Sequence, residues 1–424
     1  MKKRVFVVMS LIACLTAGSV LGGCGSGTDL PGRGVTELTD DPKSVVCLAE
    51  SETDLDAVKD FSLALFAESL GETNPVLSPV SAYLAMSMTG AGAAGETAEE
   101  FQTVFGERMV QNADTLMDAL PEEEETLVVN IANSAWIDDD FTAREDWIAL
   151  VSEYFESEVF QTNLPGAMKS INSWVEDKTE GLIDSILSEP LSEDARLVLM
   201  NAIYFNGKWV TPFEPSATRE DVFTKEDGTV IQADMMQAYM TYFPYIKNET
   251  MDGVVLPYRE GNYVFVAVKP TAGQTVRELY ASLTVEKLEA MLEGQEDTFM
   301  NLKLPKFQVE YDRVLNEDFI NMGLPSAFIS GKADFSGLGT SADGLPINID
   351  FVRQKAAVIV DEEGTEAAAV TAVVDEAGSA MPLDEPIEVF FDEPFLYMIY
   401  DTETEIPLFM GILDAPLSSH VIID

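Results

Sequence analysis

Apolar positions recur at three- and four-residue intervals through the first third of the chain. LDAVKDFSLALFAESL (Leu55 to Leu70) carries them along one side of a helical repeat. SPVSAYLAMSMTG follows, with Pro79 suited to a first helical turn. ETAEEFQTVFG, REDWIALVSEYF and INSWVEDKTEGLIDSIL predict three further amphipathic helices, the last closing near Gly181. From Leu197 the pattern changes. RLVLMNAIYFNGKW is apolar and β-prone, VVLPYREGNYVFVAVKP reads as a hairpin, and LKLPKFQVEY alternates. PIEVFFDEPFLYMIYDTETEIPLFMGIL predicts two or three strands split by a polar turn at Asp401 to Glu405. Helices first and mainly strands after, with no internal linker or repeat, predict an α+β fold in one large domain.

The first residues stand apart from that pattern. Lys2, Lys3 and Arg4 precede the apolar run VFVVMSLIACLTAGSV, which is too short and too flanked by processing signals to span a membrane. LGGC (Leu21 to Cys24) then resembles the bacterial lipoprotein cleavage box. That resemblance implies a signal peptide over residues 1–23, cleavage before Cys24, and a lipid on its sulfur. Residues 24–47 are rich in Gly, Pro and polar side chains and read as a flexible tether, leaving 48–424 as the folded domain. With Cys24 acylated, Cys47 has no partner, so no disulfide framework is expected.

Composition and residue inventory exclude most chemistry. The net charge is −49, from 74 acids and 25 bases over 424 residues, which repels phosphate backbones and argues against nucleic-acid binding. The acidic runs at Glu122 to Glu125 and Asp138 to Asp140 read as solvated loops. The single histidine is His420, so Ser-His-Asp, Cys-His and multi-histidine zinc sites lack their parts. GAGAAG (Gly90 to Gly95) matches a dinucleotide fingerprint, with Asp114 downstream. Val80, Leu84 and Met88 before it recur at helical spacing, however, so the glycines read as a helix exit. No cofactor, no metal and no enzymatic activity are expected. An enzyme using carboxylates alone is not excluded by counting.

NPVLSPVSAYLAMSMTGAGAAGETAEEF, NAIYFNGKWVTPF, VVLPY, DEEGTEAAA and PFLYMIYDTETEIPLFMGIL together resemble the serpins, in the family's order from about Leu48 to the C-terminus. The resemblance implies three β-sheets, about nine helices and an exposed reactive-centre loop. It implies a monomeric suicide-substrate inhibitor of serine proteases, and by extension cysteine proteases. The protease cuts the loop, is held as a covalent acyl-enzyme, and is carried along as the loop enters the central sheet. Ser78, Ser81 and Asn201 match residues beneath the opening sheet, and Trp209 matches the tryptophan near first insertion. Gln354 stands where many members carry histidine.

The residues of the loop support that implication by themselves. Asp361 to Pro386 is long, without an aromatic, and such loops are uncommon in compact domains unless functional or disordered. Its hinge is Glu362, Glu363, Gly364, Thr365, Glu366, Ala367, Ala368 and Ala369. Thr365, Ala367, Ala369, Thr371 and Val373 alternate along one face and are small or β-branched, as a strand entering a packed sheet requires. Gly364 is read as supplying backbone freedom. Counting from the hinge as in inhibitory serpins, the resemblance implies a scissile bond between Gly378 and Ser379, with the bonds at Ala377, Ala380 and Met381 as neighbours. None of these residues is basic, which favours an elastase-like or subtilisin-like target. A non-inhibitory serpin acting as a surface-binding or chaperone protein is the rival reading. The signal places either on the extracytoplasmic face of a bacterial envelope, lipid-anchored through Cys24.

Overall fold

The computed structural model describes residues 34–39, 53–121, 124–193, 195–271, 273–342, 344, 346–365 and 385–416. The chain begins with β1 (Thr36–Glu37), α1 (Leu55–Ala67), β2 (Val76–Leu77), α2 (Pro79–Gly90), α3 (Gly95–Phe105) and α4 (Met109–Asp118). Next come β3 (Leu127–Asp138), β4 (Phe141–Ala143), α5 (Glu145–Tyr154), β5 (Glu158–Thr162), α6 (Met168–Lys178) and β6 (Leu197–Lys208). The middle holds β7 (Arg219–Thr224), β8 (Val230–Lys247), β9 (Met251–Pro257), β10 (Tyr263–Pro270), α7 (Val276–Ala281) and α8 (Val285–Leu292). Then follow β11 (Glu296–Pro305), β12 (Phe307–Val314), α9 (Asn316–Met322), β13 (Gly339–Ser341), β14 (Phe351–Val360) and β15 (Gly364–Thr365). The last strands are β16 (Ile387–Phe390), β17 (Phe395–Asp401) and β18 (Ile406–Leu413).

These elements form three sheets among the described residues. A seven-stranded sheet runs β1-β5-β3-β6-β15-β14-β12. A nine-stranded sheet runs β16-β11-β8-β9-β10-β17-β18-β2, with β7 on β8, and β13 pairs with β4. β6 is buried on both faces, which is why its sequence is a continuous apolar run. Leu197, Leu199, Ile203 and Phe205 join the main core, whereas Val198, Met200 and Ala202 join a second cluster with Trp136, Phe160 and α6's Trp174.

The predicted helices form, with local reasons for their ends. Asp54 caps α1 by accepting from the Ala57 amide, and Ser78 caps α2 with Pro79 in its first turn. Every residue of α2 is buried, so it is a core helix rather than an amphipathic one. The chain leaves α2 at Gly90, and a methyl group at Gly92 would sit 1.8 Å from Leu338. GAGAAG therefore joins two helices, Asp114 lies on α4, and the phosphate-binding context of strand, loop and helix is absent there.

Four features differ from expectation. β3 is a twelve-residue strand within the helical third, because it is buried between β5 and β6 rather than amphipathic. LKLPKFQVEY breaks at Lys306 into strands of two sheets, where the Lys306 amide donates to the Asp234 carbonyl. Asp138 is buried, its carboxylate accepting from the amides of Asp140 and Leu164. Within the expected tether, Thr36–Glu37 pair with β5, and the Leu38 amide donates to the Val159 carbonyl at 2.7 Å. The unpaired groups of an edge strand attract such an addition.

Candidate functional site

The site lies where the seven-stranded sheet divides. β6 and β14 run parallel and pair only from Val198↔Phe351 to Ala202↔Lys355. Above Ala202 their pairing stops, and β15 occupies the far end of the space between them. There Gly364 pairs with Lys208, and Thr365 pairs with both Gly207 and Val360. The fourth and fifth residues of the long loop, Gly364 and Thr365, are thus already a strand in the sheet.

Close packing shapes this hinge. A Cβ on Gly364 would lie 2.1 Å from the Gly207 carbonyl oxygen. Its φ is not positive, so glycine is needed there for space rather than for an unusual dihedral. Thr365 is buried, and its hydroxyl is 2.6 Å from the Tyr258 hydroxyl. Tyr258 stacks on Trp209 at 4.6 Å, and the Trp209 indole N–H donates to the Asp361 carbonyl. The Trp209 amide donates to the Glu363 carbonyl. Burial pushes the Tyr258 phenol well above its ordinary value, only partly offset by the Thr365 hydroxyl.

Carboxylates hold the bend before the hinge. The Asp361 carboxylate accepts from the amides of Glu363 and Gly364 at 2.9 and 3.2 Å. Burial raises its pKa, against the lowering by those amides. Glu362 is half-desolvated, which alone would raise it. Its bonds from Lys306 at 2.7 Å and Thr218 at 2.7 Å outweigh that and leave it below the usual carboxylate range.

A polar cluster sits below, at the point where β6 and β14 join. Gln354 accepts from the Ser78 amide and donates to the Ser78 carbonyl and the Asn201 side-chain oxygen, each at 2.9 Å. Asn201 donates to the Ser81 carbonyl and hydroxyl and to Asn133. All five side chains are buried, and the Asn133 amide nitrogen has no hydrogen-bond partner. Glutamine thus ties β14 to β6 and to the start of α2 with one neutral amide.

The structure brings Ser78, Ser81, Asn201 and Gln354 into one cluster, and Trp209, Glu362, Glu363, Gly364 and Thr365 into another at the opposite end of the seam. Glu366, Ala367, Ala368, Ala369, the candidate bonds from Ala377 to Met381, and Cys24 lie outside the described residues. Sequence reasoning missed Asn133, Tyr258, Thr218 and Lys306. Tyr258 stood in the quoted VVLPY stretch, whereas nothing local marks the other three.

Comparisons with known proteins place this geometry. The model of the serpin (serine protease inhibitor) family matches residues 56–416. Iripin-3 of Ixodes ricinus is 34% identical, with 87% of this chain and 96% of that protein covered. An uncharacterised serpin-like protein of Thermococcus kodakarensis is 32% identical, with 85% of each covered. Among solved structures, the thermophilic serpin tengpin in its native state superposes with a TM-score of 0.82 at 32% identity, covering 90% of this chain and all of that one. Tengpin in its latent state gives 0.73 at 31% identity, covering 87% of this chain and all of that one. Thyroxine-binding globulin, bound to thyroxine, gives 0.75 at 26%, covering 86% and 99%. A divided central sheet, a loop hinge between its strands and a family match across the folded chain lead to one conclusion: the protein belongs to the serpin family, whose members are generally protease inhibitors rather than enzymes.

Proposed function

We propose that this serpin inhibits serine proteases, and cysteine proteases of similar cleft, by inserting its cleaved loop between β6 and β14. The observation carrying this reading is the seated hinge, Gly364–Thr365, with both neighbouring strands paired to it. Continuing its register one residue at a time along β6 and β14 sets Glu366 to Ala369 in the stretch where those strands are unpaired. Val370 onward then separates the five paired positions. Thr371 arrives between Asn201 and Gln354, replacing their direct bond with a hydroxyl able to donate to one and accept from the other. Asp375 arrives beside Leu197, at the start of β6. The inserted strand gains on the order of ten net main-chain hydrogen bonds at about 1 kcal/mol each, so the uncut fold is metastable by that order.

The loop's small residues about Gly378–Ser379 favour an elastase-like or subtilisin-like target. The Leu21-to-Cys24 box supports a lipid-anchored, extracytoplasmic monomer of a bacterial envelope. The test is to incubate the chain from Cys24 with an elastase-like protease. A denaturation-resistant band at the summed mass, with a new N-terminus within Ala377 to Met381, is the expected result. Cleavage of the loop without that band by several shallow-pocket proteases would leave a serpin acting as a binding protein.

A further inference from the structure

We propose that the two ends of the central sheet have opposite relations to the anchor. The bait is presented at the end remote from Cys24, and capture carries the protease to the end from which the anchoring segment leaves. This rests on the inhibitory reading above. It also rests on a feature outside that reading, the seating of β1 on the sheet.

Register across the sheet fixes the geometry. Thr36 pairs with Gln161, Gln161 with Ile137, and Ile137 with Leu197. β1 therefore lies level with the start of β6, whereas the hinge enters beside Lys208 at its other end. β1 runs antiparallel to β5, with Glu37 opposite Phe160 and the Leu38 amide on Val159. The chain before Thr36 consequently heads past Thr162, off the end of the sheet where β6 begins. Val35 and Leu38 pack against the two core clusters, so the segment is held by side chains as well as by its pairing.

The distances make the asymmetry large. Leu197 and Lys208 are eleven residues apart on one strand, about 36 Å at 3.3 Å per residue. Residues 25–33 are nine positions, which reach at most about 32 Å however they are arranged. The linker is shorter than the sheet, so the end bearing β1 stays nearer to whatever holds Cys24. A protease acyl-linked at Gly378 comes to rest just beyond the Leu197 level after insertion. There it is four strand spacings from β1, about 19 Å. Capture thus draws the protease toward the membrane by roughly the length of the inserted strand.

The test uses the chain from Cys24, which keeps every described residue, with Cys47→Ser so that Cys24 is its single thiol. That thiol is coupled to phosphatidylcholine vesicles bearing a maleimide lipid and a headgroup acceptor dye. A donor-labelled elastase-like protease is added in active form or with its catalytic serine replaced, so that it docks without acylation. Energy transfer several-fold higher for the covalent complex than for the docked one is expected. Moving the thiol to the hinge end, with Val210→Cys and Cys24→Ser, should reverse the difference, since Val210 is exposed and its amide bonds Pro257 beside the hinge. A covalent band without a rise from the Cys24 attachment overturns the orientation while leaving inhibition intact. Absence of the band overturns the inhibitory reading, and this inference with it.

Discussion

Thr365→Arg separates insertion from cleavage. In the structure residue 365 is 1% exposed, and its hydroxyl bonds a fully enclosed phenol that is stacked on Trp209. A guanidinium brings five donors to a place where the bonded side chain is a single Tyr258 oxygen. Burying a charge so poorly paired costs several kcal/mol. The substitution first unseats the hinge from the uncut fold, so insertion must bury the charge anew; at about 4 kcal/mol this slows it by roughly a thousandfold, since each 1.4 kcal/mol is a factor of ten. Hydrolysis of the acyl-enzyme then overtakes insertion, and the inhibitor is consumed as a substrate. The assay is titration of protease with inhibitor, read on a denaturing gel as covalent complex against cleaved chain. Thr365→Arg should yield cleaved chain almost exclusively, with an unchanged cleavage site. Thr365→Val keeps the branched shape and leaves the Tyr258 hydroxyl unpartnered, at about 1–3 kcal/mol, so it should still form complex. Covalent complex from Thr365→Arg at wild-type stoichiometry would refute the claim that this position must be buried for inhibition.

Gly364→Ala should expel the hinge from the uncut fold, because the new methyl meets the Gly207 carbonyl. Faster hydrogen exchange at Thr365 checks it. The Glu362–Lys306 pair should contribute stability that is present above the unfolded carboxylate range near 4.5. That stability is lost as pH falls through the lower folded value, and Glu362→Gln should remove this acid dependence from the thermal midpoint. Gln354→His should make the sheet pH-sensitive. Protonation near pH 6.5 removes the acceptor that serves the Ser78 amide, and thermal midpoints should fall below that pH in the variant but not in the parent.

Strand and helix placement was legible wherever one face or one period dominated, as in α1, β6 and the final strands. β3 escaped because a strand buried among other strands lacks the alternation that announces one, and its asparagines broke the apolar run. Ser78, Asn201 and Gln354 were identified by family resemblance. Asn133, which completes their cluster, lies 68 residues from Asn201 and carries no local mark. Tyr258 is 107 residues from the threonine it bonds.

By itself the sequence determined the loop's tolerance of burial, through small and β-branched residues at alternate positions, and the absence of the parts for most catalysis. It also set the strongly acidic net charge. Tertiary structure decided that Gly364 is required by space, that the hinge is already seated, and that a neutral amide joins β6 to β14 above α2. It also decided that β1 joins the sheet at the end opposite the hinge. The reason is physical: a local pattern reports what a segment can bury, whereas partners come from register between strands distant in the chain. That register is a property of the whole packed sheet.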